Sequence, residues 1–486
     1  MEVKNIIIVA LAVFSLNTAI CQNYEQTKNS TPNIIFIEAD DLMPRFLNKL
    51  GDGFGHTPNL DKLASRGVFL PSAVAQAPMC GPSRNSMVTN LYPHNLGFYR
   101  NGHLKTLPKN IWTFPKVLQN AGYKTAYIGK SHMRPTNPKL TKDENLTSLG
   151  FDYANNTGER YAIWKALKNG ENIDDLPFVK HLKARGKYEQ FLKDNDGYEH
   201  RSTMEEDIDY LDGFTTQVAV DWITNNTQKT KPFFLWFNFC LPHGPYDVPQ
   251  RYFDIAESIH IPTPKTTTFG HLIPEPLLVD NRPITAEKAT KNRIGEVANV
   301  AFLDKMVGNL MHTLKKTGKL DNTVIVFFSD HSIFLGNHGR MHKGSLFEEN
   351  LNTSFIISYP KEFPQNITIN NPVELLDLIP TTFELAGIKN PNKVALNGIS
   401  MVPLLKGETA NVRKYAFSEI LGGQSVTDGR YRYIISEGYE ILYDHENDPF
   451  EMVNIAVEKP TLTATYRKVV ENWKVNSGPV YKPKTF

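Results

Sequence analysis

The sequence predicts an α/β protein: a large, mostly parallel central sheet flanked by helices, with a smaller C-terminal α+β subdomain carrying a small antiparallel sheet. Three observations predict it. The runs at 33–39, 233–240 and Thr323–Ser329 are apolar on both faces, as strands covered by helices on both sides are. Helical periodicity separates them, as in 296–314, where Val300, Leu303, Val307, Leu310 and Leu314 fall near one face. From about Val412 the pattern changes to short strands. A chain of 486 residues outgrows a single core, which suits one large unit and one small one. The expected division is a leader over 1–21, a main domain over 24–410 and the subdomain over 411–486.

The leader begins with Glu2 and Lys4 and continues Ile6-Ile7-Ile8-Val9-Ala10-Leu11-Ala12-Val13-Phe14, which reads as a secretory signal. The run is too short to span a bilayer, and no later segment reads as transmembrane. Thr18-Ala19-Ile20-Cys21 permits cleavage after Cys21 or lipid attachment at Cys21. The bulk of Ile20 favours cleavage, giving an exported product, periplasmic or secreted. Hydrophobic residues make up 41%, charged residues 21%, and the formal net charge is +2. That balance offers nothing to nucleic acid globally, so attraction for a polyanion must come from a local patch.

The strand at 33–39 ends in Asp40-Asp41. A helix cap or turn accounts for one such residue. Two adjacent carboxylates after a buried strand are costly unless a cation neutralises them, which points to a hard metal. Thr57-Pro58 opens a helix that Gly67 stops. A helix at 113–121 precedes the strand 124–128, which ends in Gly129-Lys130-Ser131-His132. Residues 136–206 are polar and weakly periodic and read as an insertion above the strand ends. Their cluster of Lys180, His181, Lys183, Arg185 and Lys187 reads first as a solvated helix face and second as a grip on a polyanionic chain.

A helix at 214–225 leads to the aromatic strand 233–240 and then to Leu241-Pro242-His243-Gly244-Pro245, a histidine held on a loop stiffened by prolines. Residues 251–292 show no periodicity and read as a long irregular loop. The strand Thr323–Ser329 ends in Asp330-His331, with Lys343 shortly after. A core strand at 354–360 and a helix at 374–386 follow. The subdomain reads as strands at 414–419, 424–427, 431–435 and 440–443, closed by a helix at 461–472.

Beyond Cys21 only Cys80 and Cys240 remain, and a disulfide between them is the plain reading for an exported chain. Cys240 also suits a strand interior, where cysteine packs as a small hydrophobe. Cys80 sits in Ala77-Pro78-Met79-Cys80-Gly81-Pro82-Ser83-Arg84, a loop leading into a helix that begins about Asn85. The strand ends meanwhile collect Asp40, Asp41, Lys130, His132, His243, Asp330 and His331. Open α/β sheets bind ligands at that edge.

These motifs together resemble the type I, formylglycine-dependent sulfatases of the alkaline-phosphatase-like superfamily, and most of all the iduronate-2-sulfatase-like bacterial polysaccharide sulfatases. The resemblance runs from about Asn33 into the C-terminal unit. It rests on the double aspartate, Thr57-Pro58-Asn59-Leu60-Asp61, Cys80-Gly81-Pro82-Ser83-Arg84, Gly129-Lys130-Ser131-His132, Pro242-His243-Gly244-Pro245, Ser329-Asp330-His331, Gly398-Ile399-Ser400-Met401-Val402-Pro403-Leu404-Leu405 and Asp448-Pro449-Phe450-Glu451.

The resemblance implies that a maturation enzyme oxidises Cys80 to 3-oxoalanine (formylglycine), whose hydrate attacks sulfur. It implies one Ca²⁺ held by Asp40, Asp41, Asp330, His331 and residue 80. Arg84 would fix the formylglycine hydroxyl, and Lys130 and Lys343 would neutralise sulfate oxygens. His243 would protonate the leaving alcohol and His132 would take a proton from the hydrate, two roles that the sequence leaves exchangeable. Relatives often carry an arginine just after the glutamates that follow the lysine motif, and Glu348-Glu349-Asn350-Leu351-Asn352-Thr353 has none. Arg100, His103 and Arg134 are candidates for a sugar carboxylate or neighbouring sulfate, with plain surface an equal reading. The implied substrate is a sulfated polysaccharide or its oligosaccharides, with algal polymers such as ulvan or carrageenan ahead of glycosaminoglycans. Two rivals stand beside it: a phosphoester or phosphonate monoester hydrolase of the same superfamily, and a catalytically dead carbohydrate-binding homologue.

Overall fold

Strand β1 (Asn33–Asp40) carries Ile35, Ile37 and Ala39 into one hydrophobic core and Ile34 and Phe36 into another, so both of its faces are covered. The computed structural model that shows this describes residues 31–102, 106–137, 139–194, 202–227, 231–265, 284–389, 395–478 and 480–481. The expected leader, with Cys21, lies outside the described residues, as does His103. Among the described residues no helix is long and apolar enough to cross a membrane.

The remaining strands are β2 (Val68–Leu70), β3 (Ala73–Val74), β4 (Lys124–Gly129), β5 (Tyr153–Asn155), β6 (Phe233–Pro242), β7 (Thr323–Ser329), β8 (Phe355–Ser358), β9 (Ile367–Thr368), β10 (Val373–Glu374), β11 (Ala416–Ile420), β12 (Gly423–Thr427), β13 (Tyr431–Ser436) and β14 (Tyr439–Asp444). The main sheet has eight strands in the order β5-β4-β6-β1-β7-β8-β2-β9. Strands β5, β4, β6, β1 and β7 are mutually parallel, while β8 runs against both β7 and β2.

Register is what builds the site. Ala39 pairs with Ser329 and Asp40 with Pro242, so β1, β6 and β7 end side by side, while β4 ends at Gly129 beside Asn238. The β1–β6 pairing slips between Glu38 and Asp40, an irregularity of the kind that re-aims side chains near active sites. Gly129 has φ 109°, and a Cβ there would lie 1.9 Å from the Asn238 carbonyl oxygen, so only glycine lets β4 deliver Lys130 against β6.

One face of the sheet is crossed by the 31-residue helix Ala286–Lys316, packed with the helices Pro58–Ser65, Leu211–Asn226 and Gln250–Glu257. The other face is covered by the helices Cys80–Thr89, Phe114–Asn120 and Leu378–Leu385. Strands β11 to β14 form the antiparallel C-terminal sheet, and the helix Pro460–Asn476 packs on it through Trp473, stacked on Phe417 at 4.7 Å. Arg432 of β13 ties this sheet to the short helix Glu348–Leu351 through Glu348, and to the segment after β14 through Glu451.

Several expectations change. The helix begins at Cys80 itself, not near Asn85, and Pro82 is accepted because it falls in the first turn, where a backbone N–H is not needed. Residues 136–206 are more than a polar insertion. They supply edge strand β5 and the helices Lys142–Ser148, Arg160–Lys168, Pro177–Ala184 and Tyr188–Asp194, whose Ile163, Phe178, Val179, Leu182 and Phe191 join the core. In the basic cluster Lys180, Lys183 and Arg185 pair with Asp175, Asp174 and Asp209, as on a solvated face. The expected loop at 251–292 holds the helix Gln250–Glu257 and the first turns of Ala286–Lys316, which Thr285 caps by accepting the Lys288 N–H. Cys80 and Cys240 are both free and buried, which removes the disulfide.

The helix Pro58–Ser65 gets no side-chain cap from Thr57. Asp304, from the middle of the long helix, accepts the backbone N–H groups of Asn59 and Leu60 at 3.0 and 2.8 Å and the Asn59 side-chain amide at 2.8 Å. Asp304→Ala leaves those buried donors unpaired and is expected to cost about 2 kcal/mol. Urea unfolding checks it, and an unchanged midpoint would show that this cap contributes nothing.

Candidate active site

Cys80 occupies the first position of the helix Cys80–Thr89. Its Sγ lies 3.2 Å from His331 Nε2, 3.1 Å from Lys343 Nζ and 4.0 Å from Asp41 Oδ1. One potential ligand atom each from Asp40, Cys80, Asp330 and His331 falls within 4.8 Å of all the others, and all four residues are buried. Asp41, the fifth expected ligand, adjoins this group: its backbone N–H donates to Asp330 Oδ1 at 3.3 Å, and its Oδ1 is 3.2 Å from His331 Nε2. Lys343 Nζ bonds to that same oxygen at 2.5 Å.

The donor set fits a hard cation. Carboxylate oxygens dominate it, as Ca²⁺ prefers. Asp40 Oδ1 is buried and makes no hydrogen bond, facing only Arg84 Nη2 at 3.5 Å, which is an acceptor left over for a metal.

Electrostatics set the charge states. Burial works to raise the Asp40 carboxyl, but Lys130, His243, Arg84 and Lys343 outweigh it and hold it well below the usual range. Asp41 is lowered in the same way, against burial, by Lys343, His243 and His331. Burial and then Asp40 push the Cys80 thiol well up. Lys130 and Lys343 keep their protons more tightly than usual, since Asp40 and Asp41 respectively overcome the cost of burial.

Arg84 lies beneath this layer, fully buried. Its Nε donates to Asp330 Oδ2 at 2.9 Å, and its Nη1 to Asn238 Oδ1 at 2.8 Å and the Lys130 carbonyl at 3.2 Å. It also pairs with Glu38 Oε1 at 3.3 Å. Among the described residues Cys80 is not one of its bonded partners. Arg84 therefore braces the carboxylates of Asp40, Asp330 and Glu38. Burial raises Glu38 to about 8 despite Arg84, and the Trp236 indole N–H donates to it at 2.6 Å.

The two histidines stand on different supports. His132, in left-handed backbone with φ 51°, places Nε2 2.5 Å from Glu159 Oε1, and Glu159 also reaches Lys130 at 3.5 Å. Its Nδ1 is buried without a partner. His243 donates its backbone N–H to the Asp40 carbonyl at 3.0 Å. Its Nδ1 is 2.5 Å from the Gly244 carbonyl oxygen and its Nε2 is 3.6 Å from Asp41 Oδ2. A carbonyl only accepts, so Nδ1 carries a proton and Nε2 is the nitrogen turned to the site.

Lys130 binds Asp40, so Asp40, Asp41, Cys80, Arg84, Lys130, His132, His243, Asp330, His331 and Lys343 form one connected group. Arg100 is exposed, and Arg134 packs over the Phe98 ring at 5.4 Å while its backbone N–H donates to Asn85; no contact ties either to the group among the described residues. Sequence reading missed Glu38, Glu159, Asn238 and Glu296, whose acid form burial and the nearby Asp41 and Asp40 favour. Glu38 had a signal, since it lies two positions before Asp40, on the same face of a strand. Glu159 had none, lying in a polar stretch.

The family profile described as Sulfatase matches residues 32–388, and that described as N-sulphoglucosamine sulphohydrolase, C-terminal, matches 336–475. An N-acetylglucosamine-6-O-sulfatase of Bacteroides thetaiotaomicron is 27% identical over 92% of this chain and 86% of its own length. An ulvan-active sulfatase of Formosa agariphila is 24% identical over 92% and 82%. The crystal structure of a phosphonate monoester hydrolase of Agrobacterium radiobacter superposes with a TM-score of 0.77 at 21% identity, covering 91% of this chain and 95% of that one; the likeness is one of fold.

If the carboxylate group holds Ca²⁺, adding the ion at about a hundredfold above its dissociation constant stabilises the fold by about 2.7 kcal/mol. The expected readout is a higher thermal midpoint, which Asp40→Asn abolishes. A midpoint indifferent to Ca²⁺ in the parent protein would rule the site out.

Proposed function

The chain belongs to the sulfatase family of sulfuric ester hydrolases, and from that premise we propose that it is an exported, formylglycine-dependent enzyme that hydrolyses O-sulfate esters of a polysaccharide or its oligosaccharides. Algal polymers such as ulvan or carrageenan come first, glycosaminoglycans second. The observation that carries the reading is the position of Cys80 at the helix start, with Lys343 at 3.1 Å and His331 at 3.2 Å of its sulfur. The relatives that act on ulvan and on a sulfated amino sugar support the substrate class.

Oxidised by a maturation enzyme, residue 80 supplies a hydrated aldehyde, with one hydroxyl for attack at sulfur and a second for releasing sulfate. Asp40, Asp41, Asp330, His331 and residue 80 would hold Ca²⁺, which would supply positive charge to lower a hydroxyl pKa and screen the ester. The side chains do the rest. Lys343 and Lys130 neutralise sulfate oxygens as charge develops. His243, with Nδ1 committed to Gly244, presents Nε2 to protonate the departing alcohol. His132, with Nε2 committed to Glu159, has Nδ1 left to accept the proton whose removal lets sulfate go. The supports beneath the two rings thus favour one assignment of the two roles.

Protein from a host with the maturation enzyme is expected to carry an aldehyde at residue 80 by peptide mass spectrometry. It should cleave an aryl sulfate in preference to the matching aryl phosphate. A clear phosphate preference would favour the phosphonate or phosphoester hydrolase, and a retained thiol would favour the dead carbohydrate-binding homologue. His243→Ala should lower kcat by about 10²–10⁴, with the smallest loss on esters of the most acidic alcohols. An equal loss on all leaving groups would remove His243 from that role. Sulfate release from a panel of defined oligosaccharides identifies the sugar.

A further inference from the structure

The helix Arg160–Lys168 is fastened to the site at its first residues. Glu159, its N-cap, holds His132 and Lys130. Arg160 pairs with Asp247, just past the loop that carries His243. From that anchorage Tyr161, Trp164 and Lys168 succeed one another on one helical face. Ile163 turns inward and is 2% exposed.

The stripe runs outward from the chemistry. The Tyr161 ring, 41% exposed, has its centroid 6.3 Å from that of His243. The Trp164 ring lies 5.7 Å beyond at an angle of 35°, and Lys168 Nζ is 5.2 Å from the Trp164 centroid. A path leaving His243 therefore meets one aromatic ring, then a second, then a cation. An i, i+3 aromatic pair on a helix adds little to its stability. An exposed tyrosine and a half-buried tryptophan in file beside His243 fit a surface made for a ligand.

We propose that this stripe is a subsite for the sugar chain: the ring bearing the sulfate lies against Tyr161, its neighbour stacks on Trp164, and Lys168 pairs with a sulfate or carboxylate on that neighbour. The assignment rests on the sulfated-carbohydrate reading above. The C–H face of a pyranose is apolar and matches an aromatic ring, while the anionic substituents of a sulfated polymer project from its rim to meet a cation. It gives the enzyme contacts with at least two consecutive sugars, so oligosaccharides bind better than single sulfated sugars.

The test uses Cys80→Ser protein, which binds without turnover, titrated by calorimetry with ulvan tetrasaccharides and, separately, carrageenan tetrasaccharides. Adding Trp164→Ala should weaken binding roughly tenfold, in line with the loss of one aromatic contact. Tyr161→Ala should do likewise, with Tyr161→Phe recovering most of the loss because it keeps the ring. Lys168→Gln should weaken binding and flatten its salt dependence. Dissociation constants unmoved by Trp164→Ala and Tyr161→Ala, or no binding of either probe, would overturn the subsite. Sulfate release by the matured parent enzyme from the same probes tests the substrate reading separately. Release with Trp164-independent binding sinks the subsite alone, and Trp164-dependent binding without release sinks the ester reading alone.

Discussion

Concentrated negative charge in a buried place is the constraint on which the rest of this structure depends. Asp40, Asp41 and Asp330 are all buried at the ends of β1 and β7, and Glu38 and Glu296 stand close by. Removing each ion from water costs several kcal/mol, so a sheet edge of this kind persists only if it is compensated. Two devices achieve it. Glu38 and Glu296 are driven toward their neutral forms by burial. Arg84, Lys130 and Lys343 then face Asp40, Asp41, Asp330 and Glu159 at close range. Four carboxylates against three cations leave one negative charge, and a divalent cation turns it to one positive charge. A site of that sign attracts an anionic ester; the same residues without the ion repel it.

Holding the groups there requires backbone that an ordinary chain avoids. Asp41 has φ 70° and His132 φ 51°, both left-handed and both beside the reacting groups. Such conformations cost of order 1–3 kcal/mol each and last only where surrounding packing enforces them. Here the enforcement comes from Asp330, which receives the Asp41 N–H, and from Glu159, which holds the His132 ring. The carboxylates and histidines of the site are therefore supported by one another, and removing one loosens several.

The fold was legible wherever burial dictated composition. Strands β1, β6 and β7 are covered on both faces, so their sequences could hardly be anything but apolar, and the polar residues at their ends stood out. Legibility failed where a single residue's context overrode its type. Gly81 and Pro82 suggested a loop, yet the first turn of a helix leaves proline's missing N–H without consequence. The polar start of Ala286–Lys316 hid ten helical residues because Asn292 and Arg293 are buried through hydrogen bonds, Arg293 Nε to the Leu335 carbonyl among them, and not through apolar side chains. Glu159 was invisible for another reason: its importance arises only from folding a distant segment over β4.

That folding gives the segment its place in the mechanism. Glu159 and Arg160 are adjacent, yet they engage opposite sides of the site, one at His132 and Lys130, the other at Asp247 beyond His243. The two histidines are thus referenced to one helix start, and the aromatic stripe continues from that same start. On the subsite proposed above, a sugar on Tyr161 would be located relative to both histidines by a helix and not by a loop. Fixing the reacting ester in this way converts binding energy from remote parts of a chain into correct placement at sulfur. On that proposed subsite, a polysaccharide would contribute such energy through the helix Arg160–Lys168 and a small sulfate ester would not.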